Sequence, residues 1–100
     1  MQPHAGEEHG ERVNVAHLAV LRELPEHRSV TAVARATGMS PSAVSQQLKL
    51  LQRRLEVVLV QRAGRGVRLT DAGWALAGIA TTVSTALAAA EADWQSYPGT

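Results

Sequence analysis

Apolar positions along the chain fall into helical spacing, then briefly into a strand-like run, then back into helical spacing. Leu18, Leu21 and Leu24 repeat behind Asn14, a residue type suited to an N-cap. They predict a first helix running to about Leu24, with Pro25 at its end. Ser29-Val30-Thr31 opens a second, short helix with Thr31 as the expected cap. Ala32, Val33, Ala34 and Ala36 give it a compact face that another helix can approach closely. Gly38 ends it, because a helix C-terminus commonly takes a left-handed residue. Two residues later Ser40 as N-cap and Pro41 at the first helical position start a third helix. Val44, Leu48, Leu51 and Leu55 form its apolar stripe, and Ser42, Ser45, Gln46, Lys49 and Arg53 lie opposite.

Two short helices joined by a tight glycine turn, the second with a polar and basic outer face, form a helix-turn-helix. After Glu56 the period changes. Val57-Val58-Leu59-Val60 and Val67-Arg68-Leu69-Thr70 are strand candidates around a Gly-x-Gly turn, and predict a β-hairpin with arginines at its base and tip. A hairpin in that place is the wing of a winged helix. Thr70 then caps a last helix, with Asp71 at its positive terminus. Leu76, Ala80, Val83, Leu87, Ala90 and Trp94 follow at spacings of 4, 3, 4, 3 and 4, a heptad seam.

Leu76 and Ile79 are expected to touch the first helix. Val83 to Trp94 extend about 20 Å beyond it at roughly 1.5 Å per residue, more than a small core covers. Exposed, that stripe is an aggregation hazard, so a partner helix is its expected cover. The expected fold is mainly α with a small β-hairpin wing: a tail over 1–13, a winged helix-turn-helix over 14–70, a long dimerisation helix over 71–96 and a short tail over 97–100.

Composition narrows the function. Seventeen Ala, 11 Val and 11 Leu stand against three aromatic residues and no Phe, which favours helices and leaves few side chains to enclose a deep pocket. Without cysteine there is no disulfide, thiolate metal site or cysteine nucleophile. The net charge of +1 hides an asymmetry: residues 27–70 hold eight basic side chains and one acid, Glu56, while both flanks are acidic. A basic centre between acidic ends is a footprint for a polyanion.

The polar, acidic start lacks the basic-then-apolar pattern of a signal peptide, and no run of about 18 apolar residues predicts a membrane span. A cytoplasmic protein is expected. His4, His9, His17 and His27 show no metal-ligand spacing, so no metal or cofactor is expected, and His17 is expected on the surface of the first helix. Ser42 and Ser45 sit on a convex face with no base or cleft, and Gly64-Arg65-Gly66 lacks the Lys-Ser/Thr of a phosphate loop, so catalysis is not expected.

Ser29-Val30-Thr31-Ala32-Val33-Ala34, Ser40-Pro41-Ser42-Ala43-Val44-Ser45-Gln46-Gln47-Leu48, Arg62, and Leu69-Thr70-Asp71-Ala72-Gly73 together resemble the N-terminal domain of LysR-type transcriptional regulators. The likeness runs from about Val15 to Trp94. It implies a winged helix-turn-helix whose linker helix pairs two subunits on an interrupted inverted repeat. It implies major-groove contacts from Pro41, Ser42, Ser45, Gln46 and Lys49, and backbone or minor-groove contacts from Arg62, Arg65 and Arg68. Thr31, Ser40 and Arg53 complete the candidate DNA-binding set.

The sequence departs from the family in four ways. Glu56 stands where the family usually has Gly, Val60 where it has Phe, and Gln52 where it has Glu, and the chain stops where a larger effector-binding domain would follow. The expectation is a regulator without that sensor domain and with no small-molecule effector evident, although a fragment of a longer regulator fits as well.

The polar face of the third helix has a plain alternative as a solvated surface, and Arg62 has one as a partner of Glu56; an arginine-bearing wing directly after that face favours DNA. Gln46 is of the type that reads adenine. Arg65, between two glycines, fits a phosphate or minor-groove reach. The expected function is a homodimeric, sequence-specific regulator of double-stranded DNA, paired through Leu76, Ala80, Val83, Leu87, Ala90 and Trp94. The alternative is an interaction module that heterodimerises with a full-length regulator through the same helix.

Overall fold

The computed structural model describes residues 15–98; the acidic tail, the Asn14 cap and the last two residues lie outside the described residues. Helix α1 spans Val15–Glu23, α2 Val30–Thr37 and α3 Pro41–Leu55. A hairpin of β1, Val60–Ala63, and β2, Gly66–Leu69, follows, and α4 spans Asp71–Gln95. Val20, Leu21 and Leu24 meet Val33 and Ala34 of α2, Val44, Leu48 and Leu51 of α3, Leu59, and Ala80 of α4 in one core.

The turn between α2 and α3 forms as its residues dictate. Gly38 is left-handed at φ 75°, and its N–H donates to the Ala34 carbonyl. The Ser40 hydroxyl accepts from the Ala43 N–H at 3.1 Å, with Pro41 opening α3. The cap of α2 is Ser29 rather than Thr31: its extended backbone sets the hydroxyl 3.0 Å from the Ala32 N–H, which leaves Thr31 exposed in the first turn.

The first strand begins three residues later than the apolar run suggests. Glu56 leaves α3 in a left-handed conformation, φ 56° and ψ 45°. The backbone groups of the next residues are then taken by helix ends rather than by a ladder. The Leu59 N–H donates to Gln52 Oε1, the Leu59 carbonyl accepts from the Thr70 N–H, and the Val58 carbonyl accepts from the Thr70 hydroxyl. The antiparallel pairing is Val60↔Leu69, Gln61↔Arg68, Arg62↔Val67 and Ala63↔Gly66. Val60, in place of a ring, is half-buried against the core together with Val57, Val67 and Leu69.

The seam on α4 divides. Ala80 is fully buried and Leu76 is half-buried against the core, so both pack within their own domain. Ile79, expected to touch α1, stands 56% exposed, while Ala77 is buried in the helix's inward stripe. Beyond Ala80 every residue of α4 is exposed except half-buried Ser84. The expectation that no segment could span a membrane also needs correction. With 25 residues and a mean hydropathy of 1.4 over its most apolar stretch, α4 meets that test by length and composition. Threonine and serine interrupt its apolar runs, but no charge falls between Asp71 and Glu91.

His17 is not on the surface. It is 4% exposed, packed beside Val20, Gln47, Leu48 and Leu51, because α1 turns that side toward α3. Burial lowers its pKa below 6.5, and the Arg54 charge lowers it further.

Candidate nucleic-acid interface

The apolar stripe of α3 is spent on the core, and its other side is left to solvent. Pro41, Ser42, Gln46, Lys49 and Arg53 are exposed, and Ser45 is half-buried. A groove of about 460 Å³ opens between α3, the first turn of α2 and the hairpin. It gathers Thr31, Ser45, Lys49, Arg62 and Arg65 of the predicted set. Ser42, Gln46 and Arg53 continue the α3 face outside it, and Ser40 and Pro41 mark the start of the helix.

Arg68 does not join them. It pairs across the hairpin with Gln61 and Arg62 pairs with Val67, so Arg62 and Arg68 alternate to opposite faces, and of the Gln61–Arg68 pair only Gln61 reaches the groove. Arg68 lines a separate groove of about 240 Å³ with Arg28 and Trp74.

Charge in the main groove is of one sign. Lys49, Arg62 and Arg65 line it, with no acid among the described residues of its walls. Among the described residues the ion pairs are Arg22 and His27 with Glu23, so the alternative of an Arg62–Glu56 pair is not realised.

The hairpin is held at a fixed place beside α3 by contacts the sequence did not announce. Gln52 Oε1 accepts from the N–H groups of Leu59 at 2.7 Å and Val60 at 3.1 Å. The Val67 N–H donates to the Arg28 carbonyl at 2.9 Å, and a Cβ on Gly66 would collide with that same oxygen. Of the two turn glycines only Gly64 has positive φ; Gly66 is needed for close approach. Gln52, Gln61 and Ser29 also line the groove and were missed. For Gln52 a signal existed: it follows Ser45 by seven residues and Lys49 by three, on one helix face.

Residues 15–74 match the model of the bacterial regulatory helix-turn-helix protein, lysR family. The chain belongs to the LysR family. It is similar to the HTH-type transcriptional regulator PtxR of Pseudomonas aeruginosa, 37% identical over 87 residues that cover 87% of this chain and 28% of PtxR. The chain thus spans little more than a quarter of that relative's length.

Among solved structures, the DNA-binding domain of CbnR in complex with DNA superposes with a TM-score of 0.72 at 28% identity, over 83% of this chain and 94% of that one. Full-length LysG from Corynebacterium glutamicum with bound effector Arg gives 0.75 at 30% identity, over 83% of this chain and 28% of that one. This LysR-type chain is a winged helix-turn-helix DNA-binding domain with a long C-terminal helix.

Proposed function

We propose that this LysR-type chain binds double-stranded DNA sequence-specifically as a homodimer on an interrupted inverted repeat, in the bacterial cytoplasm and on the nucleoid. The observation that carries it is the groove between α3 and the wing, in which Lys49, Arg62 and Arg65 stand without acidic partners among the described residues. Three such cations match a phosphate backbone, and the exposed Ser42 and Gln46 beside them are of a size and type to meet base edges. The CbnR domain, taken to DNA in its own complex, supports the same use of this fold.

One domain reaches one half-site. Two, held by the exposed distal part of α4 through Val83, Leu87, Ala90 and Trp94, reach both and gain effective concentration. The same bare stripe would also accept the helix of a full-length regulator, which keeps the heterodimer as the second reading.

Selection of bound duplexes from a random pool, followed by titration at several salt concentrations, tests the proposal. An enriched inverted repeat and a steep salt dependence are expected. Arg62→Ala and Arg65→Ala each weaken all sequences alike and flatten the salt slope by about one unit. No enrichment, or slopes unchanged in both variants, would remove it. Sedimentation of the chain alone decides between the homodimer and the heterodimer.

A further inference from the structure

Gln52 is tied at one end and free at the other. Its Oε1 accepts two backbone N–H groups, from Leu59 at 2.7 Å and Val60 at 3.1 Å. Those two bonds use both lone pairs of the carbonyl oxygen and fix the sense of the amide, since only oxygen can accept. The Nε2 end keeps two N–H donors, and no acceptor among the described residues takes either of them. Nor is that nitrogen sealed in the interior: among the described residues only Gln47 Oε1 is a buried side-chain atom without a partner. Gln52 lines the groove shared by Lys49, Arg62 and Arg65.

The resemblance sets Gln52 where Glu is usual. A carboxylate would accept the same two N–H bonds and hold the wing as well or better. Its second oxygen, however, would bring negative charge into a groove whose other charged walls are all cationic. Glutamine keeps the tie and exchanges that charge for two donors.

We propose that Gln52 is a two-ended positioning residue: its oxygen fixes the wing, and its amide N–H donates to a DNA phosphate oxygen seated between α3 and the wing. The inference rests on the DNA-binding reading. Phosphate is the acceptor argued because Gln52 lies in the last turn of α3 among the groove's cations, whereas base edges are met from the helix's earlier turns.

The test compares the wild-type chain with Gln52→Glu and Gln52→Ala. Two readouts are taken: hydrogen exchange at the Leu59 and Val60 amides, and affinity for a random-sequence duplex and for the selected site at fixed low salt. In Gln52→Glu the two amides stay protected, while affinity for both duplexes falls by about tenfold. In Gln52→Ala protection and affinity both fall. In ¹⁵N-labelled wild type the Gln52 side-chain amide signal moves downfield when the random duplex is added.

Wild-type affinity in Gln52→Glu, with the amides still protected, overturns the donor role. A loss confined to the selected site overturns the phosphate assignment in favour of a base edge. Unchanged protection in Gln52→Ala overturns the tie. A wild-type chain that binds no duplex at all removes the DNA reading and the donor role together, while amide exchange still judges the tie.

Discussion

The first ten residues of α4 and its last fifteen carry one continuous four-three apolar spacing, and they meet opposite fates. Over Asp71–Ala80 the stripe is covered by α1 and the core, with Ala80 fully buried. From Thr81 onward Leu87 is 42% exposed and Trp94 72% exposed, with Trp94 stacked on Tyr97 at 5.5 Å. Periodicity therefore identifies the face of a helix that wants cover, but not what covers it. Reach decides that: the core ends near Ala80, while the helix continues for about 22 Å more at roughly 1.5 Å per residue.

The largest expected effect falls on the bare half. Leu87→Glu sets a charge in the middle of the distal stripe, where Leu87 shares only a shallow groove with Leu18, Ala19 and Arg22 of α1. Pairing there with its symmetry mate would bring two carboxylates together out of water. The variant is expected to fold as wild type does, sediment as a monomer at concentrations where wild type is a dimer, and lose tight binding to the inverted repeat by about 10²–10⁴-fold as avidity is lost. Weak binding to random DNA should remain. If the variant unfolds, the distal stripe belongs to the domain core after all. If wild type itself sediments as a monomer, the partner is another protein.

In the hairpin that leads into the packed half, the matching probe is Gly66→Ala. The new methyl would collide with the Arg28 carbonyl, and the Val67 hydrogen bond to that oxygen would go with it. Overpacking of this kind costs about 1–3 kcal/mol. Urea melts should show that loss, and binding to random DNA should weaken too, because Arg65 at the hairpin tip moves with the strand. Unchanged melts would mean that the hairpin is less closely seated than the Val67–Arg28 bond implies.

Local signals in the sequence were the legible ones. Gly38, Ser40 and Pro41 act through neighbours three or four residues away, and the turn before α3 forms where they set it. What escaped depends on distant partners. Val57-Val58-Leu59 has strand composition, but Gln52 and Thr70 take its hydrogen bonds, so β1 starts at Val60. Ser29 and Thr31 are both cap-forming types, and backbone direction alone chose Ser29. Within the site, the α3 face was readable from spacing. The separation of Arg68 from Arg62 needed the register, and Gln52 needed the path of the loop after α3.

His17 shows the same limit, and it has a pH signature. A lone histidine in α1 gives no sign of burial until α3 is packed on it. Its pKa is lowered in the folded chain by burial and then by Arg54, so the unfolded chain binds the proton more readily. Stability from this group is therefore complete above about pH 6.5 and is lost as pH falls through that value toward the lower folded pKa. His17→Leu should flatten this part of the stability–pH curve between pH 7.5 and 5, as read by urea midpoints at each pH. An identical slope in the variant would assign the acid loss to other groups.

The smallest expected effect concerns the junction between α3 and the hairpin. Glu56 is the sole residue other than glycine with positive φ among the described residues, and it stands where the family usually has glycine. A side chain there costs roughly 1–2 kcal/mol in the left-handed region, part of which a glycine would return as extra freedom of the unfolded chain. Glu56→Gly is accordingly expected to stabilise the domain by about 0.5–1 kcal/mol. Removing the one acid within residues 27–70 should also tighten binding to random DNA slightly. Glu56→Gln separates the two causes, since it removes the charge and keeps the strained backbone. A stability gain confined to glycine, with the affinity gain shared by both variants, assigns the first to conformation and the second to charge. An equal stability gain in Glu56→Gln would mean that the left-handed turn costs this chain nothing, and that charge alone distinguishes Glu56 from the usual glycine.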